Sequence, residues 1–455
     1  MSTIKDIYGS IEIPEGVYWG ANTQRSLLNF PIGVEKMPED LIDALVILKK
    51  AAAEANLKHN KLDEPRAHAI MNACDRILTG EYYDQFPLAI WQTGSGTQTN
   101  MNANEVIANM ANEALGEKLV HPNDHVNCGQ SSNDVFPTAM HICTVEILKN
   151  RLIPSMHSMD STFSILSEKY GSILKTGRTH LQDATPISFG QEISGWQYMY
   201  VEGIKQIEDA LVYLRNLSIG STAVGTGLNT YEGFDQEVCN ILNKYLEESF
   251  KPTPNKFHAM STKDAFVFNH GALNAIASNS MKMANDIRWL ASGPRCGLGE
   301  INLPANEAGS SIMPGKVNPT QCEALTMTCV QVMANNQAVV IGSSQGNFEL
   351  NVYMPLIIYN TWQSIVLLSD ALNSFNERCL SGITVNEDKM ETNLTTSLMT
   401  ATFLNQRFGY DETAKIVKEA HQEGLSIKDV VVGHDLMTSE EFDVFFDYQK
   451  MIKPE

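Results

Sequence analysis

The sequence predicts an all-α protein organised around a bundle of long helices. Two observations carry that prediction. Alternation of apolar and polar residues is confined to short pieces such as Ser10–Trp19, which leaves no room for a large sheet. By contrast, Gly190–Asn216, Thr262–Leu290, Pro319–Val340 and Pro355–Leu380 keep a helical character with few breakers. A helix of ~25–30 residues is ~40–45 Å long, longer than one small domain needs.

Length and composition frame the elements. The 455 residues, at roughly 150 per domain, predict about three domains. Hydrophobic residues are 43% and charged residues 19%, enough apolar side chains for a large core. We expect a mainly helical N-terminal domain over 1–130, a central long-helix bundle over 131–385 and a small helical domain over 386–455. In the first, Pro38-Glu39-Asp40 opens a helix whose apolar positions are Leu41, Leu45, Leu48, Ala52 and Ala55, with acidic residues in the first turn. In the second, Ala324, Leu325, Met327, Val330, Val332, Met333, Ala338, Val339 and Val340 cover most of one helix's circumference. A helix apolar all round must be buried all round, so we expect this bundle to pack against other copies of the chain. In the third, the shorter segments Glu387–Asn405, Asp411–Glu423, Ser426–Val431 and Ser439–Tyr448 are rich in charge and punctuated by Gly409, Gly424 and Gly433.

Thirty-three Lys and Arg against 53 Asp and Glu give a net charge of −20, which argues against nucleic acid and anionic membranes as partners. The eight cysteines show no CxxC spacing, so we expect buried free thiols in a reducing compartment and neither a disulfide framework nor a zinc site. No stretch approaches the ~18 apolar residues of a membrane span. Met1–Gly20 has no apolar run of signal-peptide length. We expect a soluble, cytoplasmic protein; a leader cleaved from an organellar precursor would leave no trace in this chain.

Four polar loops stand out, each expected to lead into a helix. They are Thr93–Asn100, Gln130–Asp134, Gly177–Gln182 and Gly309–Pro319, with Pro137, Pro186 and Pro319 expected in the first helical turns. Helix N-termini with free N–H groups favour anions, and Ser, Thr and Asn add neutral donors. Such ends converging would bind a small polycarboxylate without a large positive field. Singly, each loop also reads as ordinary capping. The fourth is harder to explain that way, because it packs Ser310, Ser311, Lys316 and Asn318 between two prolines, with flexible Gly309 and Gly315 suited to a lid. His121 and His125 have the i, i+4 spacing of metal ligands, but Pro122 and Asp124 intervene and no HExxH is completed, so no metal is expected there.

The run Gly309-Ser310-Ser311-Ile312-Met313-Pro314-Gly315-Lys316-Val317-Asn318 resembles the signature of the fumarase/aspartase superfamily. Its continuation, Pro319-Thr320-Gln321-Cys322-Glu323-Ala324, resembles the class II, iron-independent fumarases in particular. Ser95–Asn102, His121–Asp124, Gly177–Pro186 and Gly346–Asn351 agree, and the similarity runs from about Gly9 to the end of the chain. Cys128-Gly129 and Ser221 depart from the commoner residues of those enzymes.

The resemblance implies a three-domain helical fold that assembles into a homotetramer, with each active site shared by three subunits. It implies reversible, stereospecific hydration of fumarate to (S)-malate through an aci-carboxylate, a step of the tricarboxylic acid cycle, with no metal or organic cofactor. Ser310 would be the base, made acidic enough by Lys316 and nearby N–H groups. Lys316 and Asn318 would hold the carboxylate that gains charge. Ser95, Gly96, Thr97, Ser131, Ser132, Asn133, Thr179, Ser311 and Val317 would complete the substrate site. His180, paired with Glu323, would handle water on the other side. His121, Pro122, Asn123 and Asp124 match a second, non-catalytic carboxylate site. The alternative within the superfamily is an aspartate ammonia-lyase, against which Thr320–Glu323 argues.

Overall fold

Side-chain N-caps from Asp63, Ser131, Asn255, Ser426 and Thr438 open five of the helices. The computed structural model describes residues 1–454. Its helices run in chain order: α1 (Ala21–Asn29), α2 (Glu39–Lys58), α3 (Glu64–Ile77), α4 (Thr97–Leu115), α5 (Ser132–Ile147) and α6 (Ile153–Lys169). Then come α7 (Phe189–Leu214), α8 (Phe234–Leu246), α9 (Lys256–Ser261), α10 (Asp264–Leu290), α11 (Thr320–Ser343) and α12 (Met354–Arg378). The last are α13 (Glu387–Thr396), α14 (Asn405–Phe408), α15 (Tyr410–Glu423), α16 (Ile427–Gly433) and α17 (Ser439–Phe445). The strands form only two-stranded pairs, among them β1 (Ser2–Asp6) with β2 (Gly9–Ile13) and β3 (Leu174–Thr179) with β4 (Gln182–Ser188). The expected strand over Ser10–Trp19 therefore stops at Ile13.

The chain divides into two units. The first comprises residues 1–154, 203–277 and 328–369. Here α2 buries Leu41, Leu45, Leu48, Ala52 and Ala55, as its periodicity predicts, and packs on α3, α5 and α8. Each fully buried leucine is worth about 1.5–3 kcal/mol of apolar transfer. Trp362 of α12 donates its indole N–H to Asp40 at 2.7 Å, fixing the start of α2. The second unit comprises residues 155–202, 278–327 and 370–455. Its α7 anchors Trp196 on Asp286 of α10 at 3.0 Å. Residues 401–446 bury a cluster of their own, including Leu404, Ile416, Val430, Val431 and Phe442.

Three expectations need correction. Pro137 does not open α5 but lies inside it, because Ser131 caps the helix six residues earlier. The Glu387–Asn405 segment breaks at Ser397, which caps a tighter helical turn over Leu398–Leu404. Of the eight cysteines, all free, Cys296 is exposed and Cys128 half-buried.

Candidate active site

The first unit carries a polar cluster at two helix starts. At α4, Gly94 and Gly96 are required by close approach. A side chain at Gly94 would strike the Val352 carbonyl, and Gly96 has φ 72° with the Phe136 ring against it. The turn they allow brings the hydroxyls of Ser95 and Thr97 to 2.8 Å from each other. At α5, Ser131 and Asp134 form a reciprocal capping box. The second Asp134 oxygen accepts from the backbone N–H groups of Gly220 and Thr222, both at 2.9 Å. Burial pushes the Asp134 carboxyl up to about 6, against the pull of those donors and of Lys49. Asn133 donates to the Ala223 carbonyl at 2.9 Å.

A buried amide network joins the two starts. Asn100, one turn into α4, donates to Ser132 Oγ at 2.9 Å and to Asn127 Oδ1 at 3.2 Å. Asn104 reaches the same Asn127 oxygen at 3.3 Å. Lys49, 0% exposed, donates to Asn127 Oδ1 at 2.8 Å and Gln130 Oε1 at 3.0 Å. Burial lowers its ammonium to about 7, with Asp134 opposing the shift. Lys49 and Asn127 escaped the sequence reading. The signal was there, since Lys49 falls on the same helical stripe as Leu45, Ala52 and Ala53.

His121–Asp124 lies close by in the same unit. His121 Nδ1 accepts from the Asp124 N–H at 3.2 Å, and the His121 N–H donates to His125 Nδ1 at 2.8 Å. The two histidines thus form a helical turn starting at Pro122. Asn123, Asp124 and Ser131 line one cavity of about 310 Å³ together with Asn127, Gln130 and Thr222.

The second unit carries the other predicted residues. Gly177–Gln182 is not a loop into a helix; it is the tip of the β3–β4 hairpin, and α7 starts only at Phe189. The register shifts by one residue between the Thr176–Pro186 and Arg178–Asp183 pairs, a bulge at Gly177, where a side chain would crowd the Thr185 carbonyl. Thr179 pairs with Gln182 across a two-residue turn in which His180 and Leu181 have φ 58° and 60°. This projects His180 into solvent. Arg178 grips Glu300 with two hydrogen bonds at 3.1 and 2.5 Å, so its role is to hold the hairpin. Burial alone would raise the Glu300 carboxyl, but Arg178, Lys175 and Asn393 bring it below the ordinary range.

The Gly309–Asn318 loop closes on itself. The Gly309 N–H donates to the Lys316 carbonyl at 3.0 Å, and the Asn318 amide donates to the Gly309 carbonyl at 2.5 Å. Gly309 has no room for a side chain against Lys316. Inside the loop, Ser310 Oγ accepts from the backbone N–H groups of Ile312 at 3.2 Å and Met313 at 3.0 Å. Ser311, Lys316 and Val317 are exposed, and Lys316 forms no ion pair among the described residues. Glu323 stands exposed in the first turn of α11. In the single chain no hydrogen bond among the described residues joins it to His180.

The helix starts of the first unit, lined with small neutral donors, suit a small anion, and in the second unit a closed loop offers a serine oxygen to two N–H groups, the equipment of a lyase that handles anions. A family model described as "Lyase" matches residues 9–334, and one described as "Fumarase C C-terminus" matches residues 401–453. The class II fumarate hydratase of Helicobacter pylori (strain ATCC 700392 / 26695) is 55% identical over 99% of this chain and 98% of its own. That of Bacillus subtilis is 50% identical over the same shares. The crystal structure of a class II fumarase from Schistosoma mansoni superposes with TM-score 0.96 at 39% identity, covering 100% of this chain and 99% of that one. The chain belongs to the class II fumarate hydratase family, and its fold is the helical fumarase fold.

Proposed function

We propose that this protein is a fumarate hydratase, adding water reversibly to fumarate to give (S)-malate by anti addition through an aci-carboxylate intermediate. The observation that carries the reading is the placement of Ser310 Oγ before two backbone N–H donors. Removing a proton next to a carboxylate needs a strong base, and those donors, with the cation of Lys316 six residues on, favour the serine alkoxide. Lys316 and Asn318 hold the carboxylate as it becomes doubly charged. Ser95, Thr97, Ser131, Ser132, Asn133, Thr179 and Ser311 hold the remaining oxygens. Binding that tightens as charge grows is what lowers the barrier. His180, oriented by Glu323, handles water at the other carbon. His121–Asp124 forms a second carboxylate site.

The enzyme works as a cytoplasmic homotetramer whose active sites draw loops from three subunits. Within one chain, α11 buries Leu325, Cys329 and Val332 but leaves Met327 68% and Val330 56% exposed. Large apolar side chains on a long helix favour burial against another copy. Among the described residues no helix is long and apolar enough to cross a membrane. The three-part division at residues 130 and 385 accompanies this reading, the C-terminal part having the cluster described above.

A steady-state assay with fumarate, (S)-malate and L-aspartate side by side tests the reaction. Turnover of the first two with no ammonia from the third is expected; ammonia release in place of hydration would favour the aspartate ammonia-lyase. Sharing of sites has its own test. Inactive Ser310→Ala and His180→Ala proteins, mixed under conditions of proven subunit exchange, are expected to regain activity in hybrid tetramers. Continued inactivity would mean that each chain supplies both residues to its own site.

A further inference from the structure

Lys49 is a fully buried amine that the proposed mechanism does not use, and it stands behind the helix starts proposed to bind substrate. Its ammonium, Asn100 and Asn104 all donate to one oxygen, Asn127 Oδ1. Three donors on one amide oxygen fix that amide's orientation, and its Nδ2 in turn donates to the Gln130 carbonyl at 3.1 Å. Asn100 is thereby held with Nδ2 toward Ser132 Oγ at 2.9 Å. A hydroxyl that accepts from Asn100 has its own proton left to donate elsewhere.

We propose that Lys49 is a positioning residue, which acts through Asn127 and Asn100 to fix the Ser132 hydroxyl as a donor to a substrate carboxylate. The proposal rests on the reading of Ser132 as a substrate-binding residue. It explains why a charge is kept at a position where an apolar side chain would pack without desolvation cost. Lys49 also ties the 127–130 turn to α2, so both helix starts keep one register.

The test is a double-mutant cycle read in steady-state kinetics on the assembled enzyme. Lys49→Met keeps the length of the side chain and removes its charge and donors. It is expected to raise KM for fumarate about tenfold, the worth of one hydrogen bond to a charged group, with kcat changed less than about threefold. Ser132→Ala is expected to raise KM similarly, and the double variant no further than the larger single effect. Multiplied effects in the double variant, or an unchanged KM accompanied by a lower thermal midpoint, would overturn the proposal and leave Lys49 a structural residue. Ser132→Ala with unchanged KM would instead remove the reading of Ser132 itself, and the proposal with it. If Lys49→Met does not assemble, Asn100→Leu cuts the same path nearer the site and carries the same cycle with the same outcomes.

Discussion

Replacing Ser310 with alanine is expected to lower turnover of fumarate and malate by roughly a thousandfold or more, with assembly and thermal midpoint nearly unchanged. The asymmetry follows from where the hydroxyl sits. Ser310 is half-buried at the surface of its loop, so the Ile312 and Met313 N–H groups it leaves behind can be met by water. Surface changes of that kind cost within about 0.5 kcal/mol of stability. The loop itself is closed by other bonds, from Gly309 to Lys316 and from Asn318 to Gly309, which the substitution leaves in place. Chemistry has no such reserve. No second group in the loop offers an oxygen to two N–H donors among the described residues. In the proposed mechanism Lys316 and the neutral donors still hold the carboxylates, so KM should move little while kcat collapses. That pattern marks a group needed only in the transition state. Substantial turnover in the variant, checked by the decay of fumarate absorbance, would remove Ser310 as the base.

What was legible in the sequence follows from how local each signal is. The long helices could be read because each is a long, largely apolar run with few breakers. The ends of α7, α10, α11 and α12 fall within three residues of the predicted limits. The β3–β4 hairpin was missed because its strands are short and carry Lys175, Arg178 and Asp183, with Pro186 mimicking a helix start. Only the partner strand and the buried Glu300 make those residues a hairpin. Pro137 misled for the related reason that proline is tolerated at helix starts. Here it costs α5 one early hydrogen bond, which the Ser131–Asp134 capping box precedes. Within the proposed site, the candidate residues were named from compact motifs, whereas the side chains that support them were not. Lys49 and Glu300 are distant in sequence from the loops they support and reach them only through folding. A charged residue on an apolar helix stripe, as Lys49 is, was the sequence's one mark of that arrangement.

The largest expected effect on stability comes from Glu300→Gln. Glu300 is 0% exposed and meets Arg178 through two hydrogen bonds, Lys175 at 3.4 Å and Asn393 at 2.9 Å. Lys175, itself buried, also meets Glu192 at 3.1 Å. Two carboxylates thus balance two cations. The amide keeps the volume of the side chain but leaves Lys175 and Arg178 with Glu192 alone. Breaking a buried charge cluster from one side costs about 3–5 kcal/mol. A fall in the thermal midpoint of roughly 5–15 °C is therefore expected. The hairpin that Arg178 anchors bears Thr179 and His180 at its tip, so kcat should fall as well. Acidity provides the control. The Glu300 carboxyl titrates below its ordinary value in the folded chain, so the unfolded chain takes up the proton more readily. Its stabilisation is complete above the ordinary carboxylate range and is lost as pH falls through the folded value. Glutamine does not titrate, so the gap between variant and parent should be widest near neutral pH and should close in acid. Equal midpoints at neutral pH would show that Asn393 and Glu192 suffice to hold the two cations. A gap that persists undiminished in acid would show that shape at position 300, and not charge, holds the hairpin.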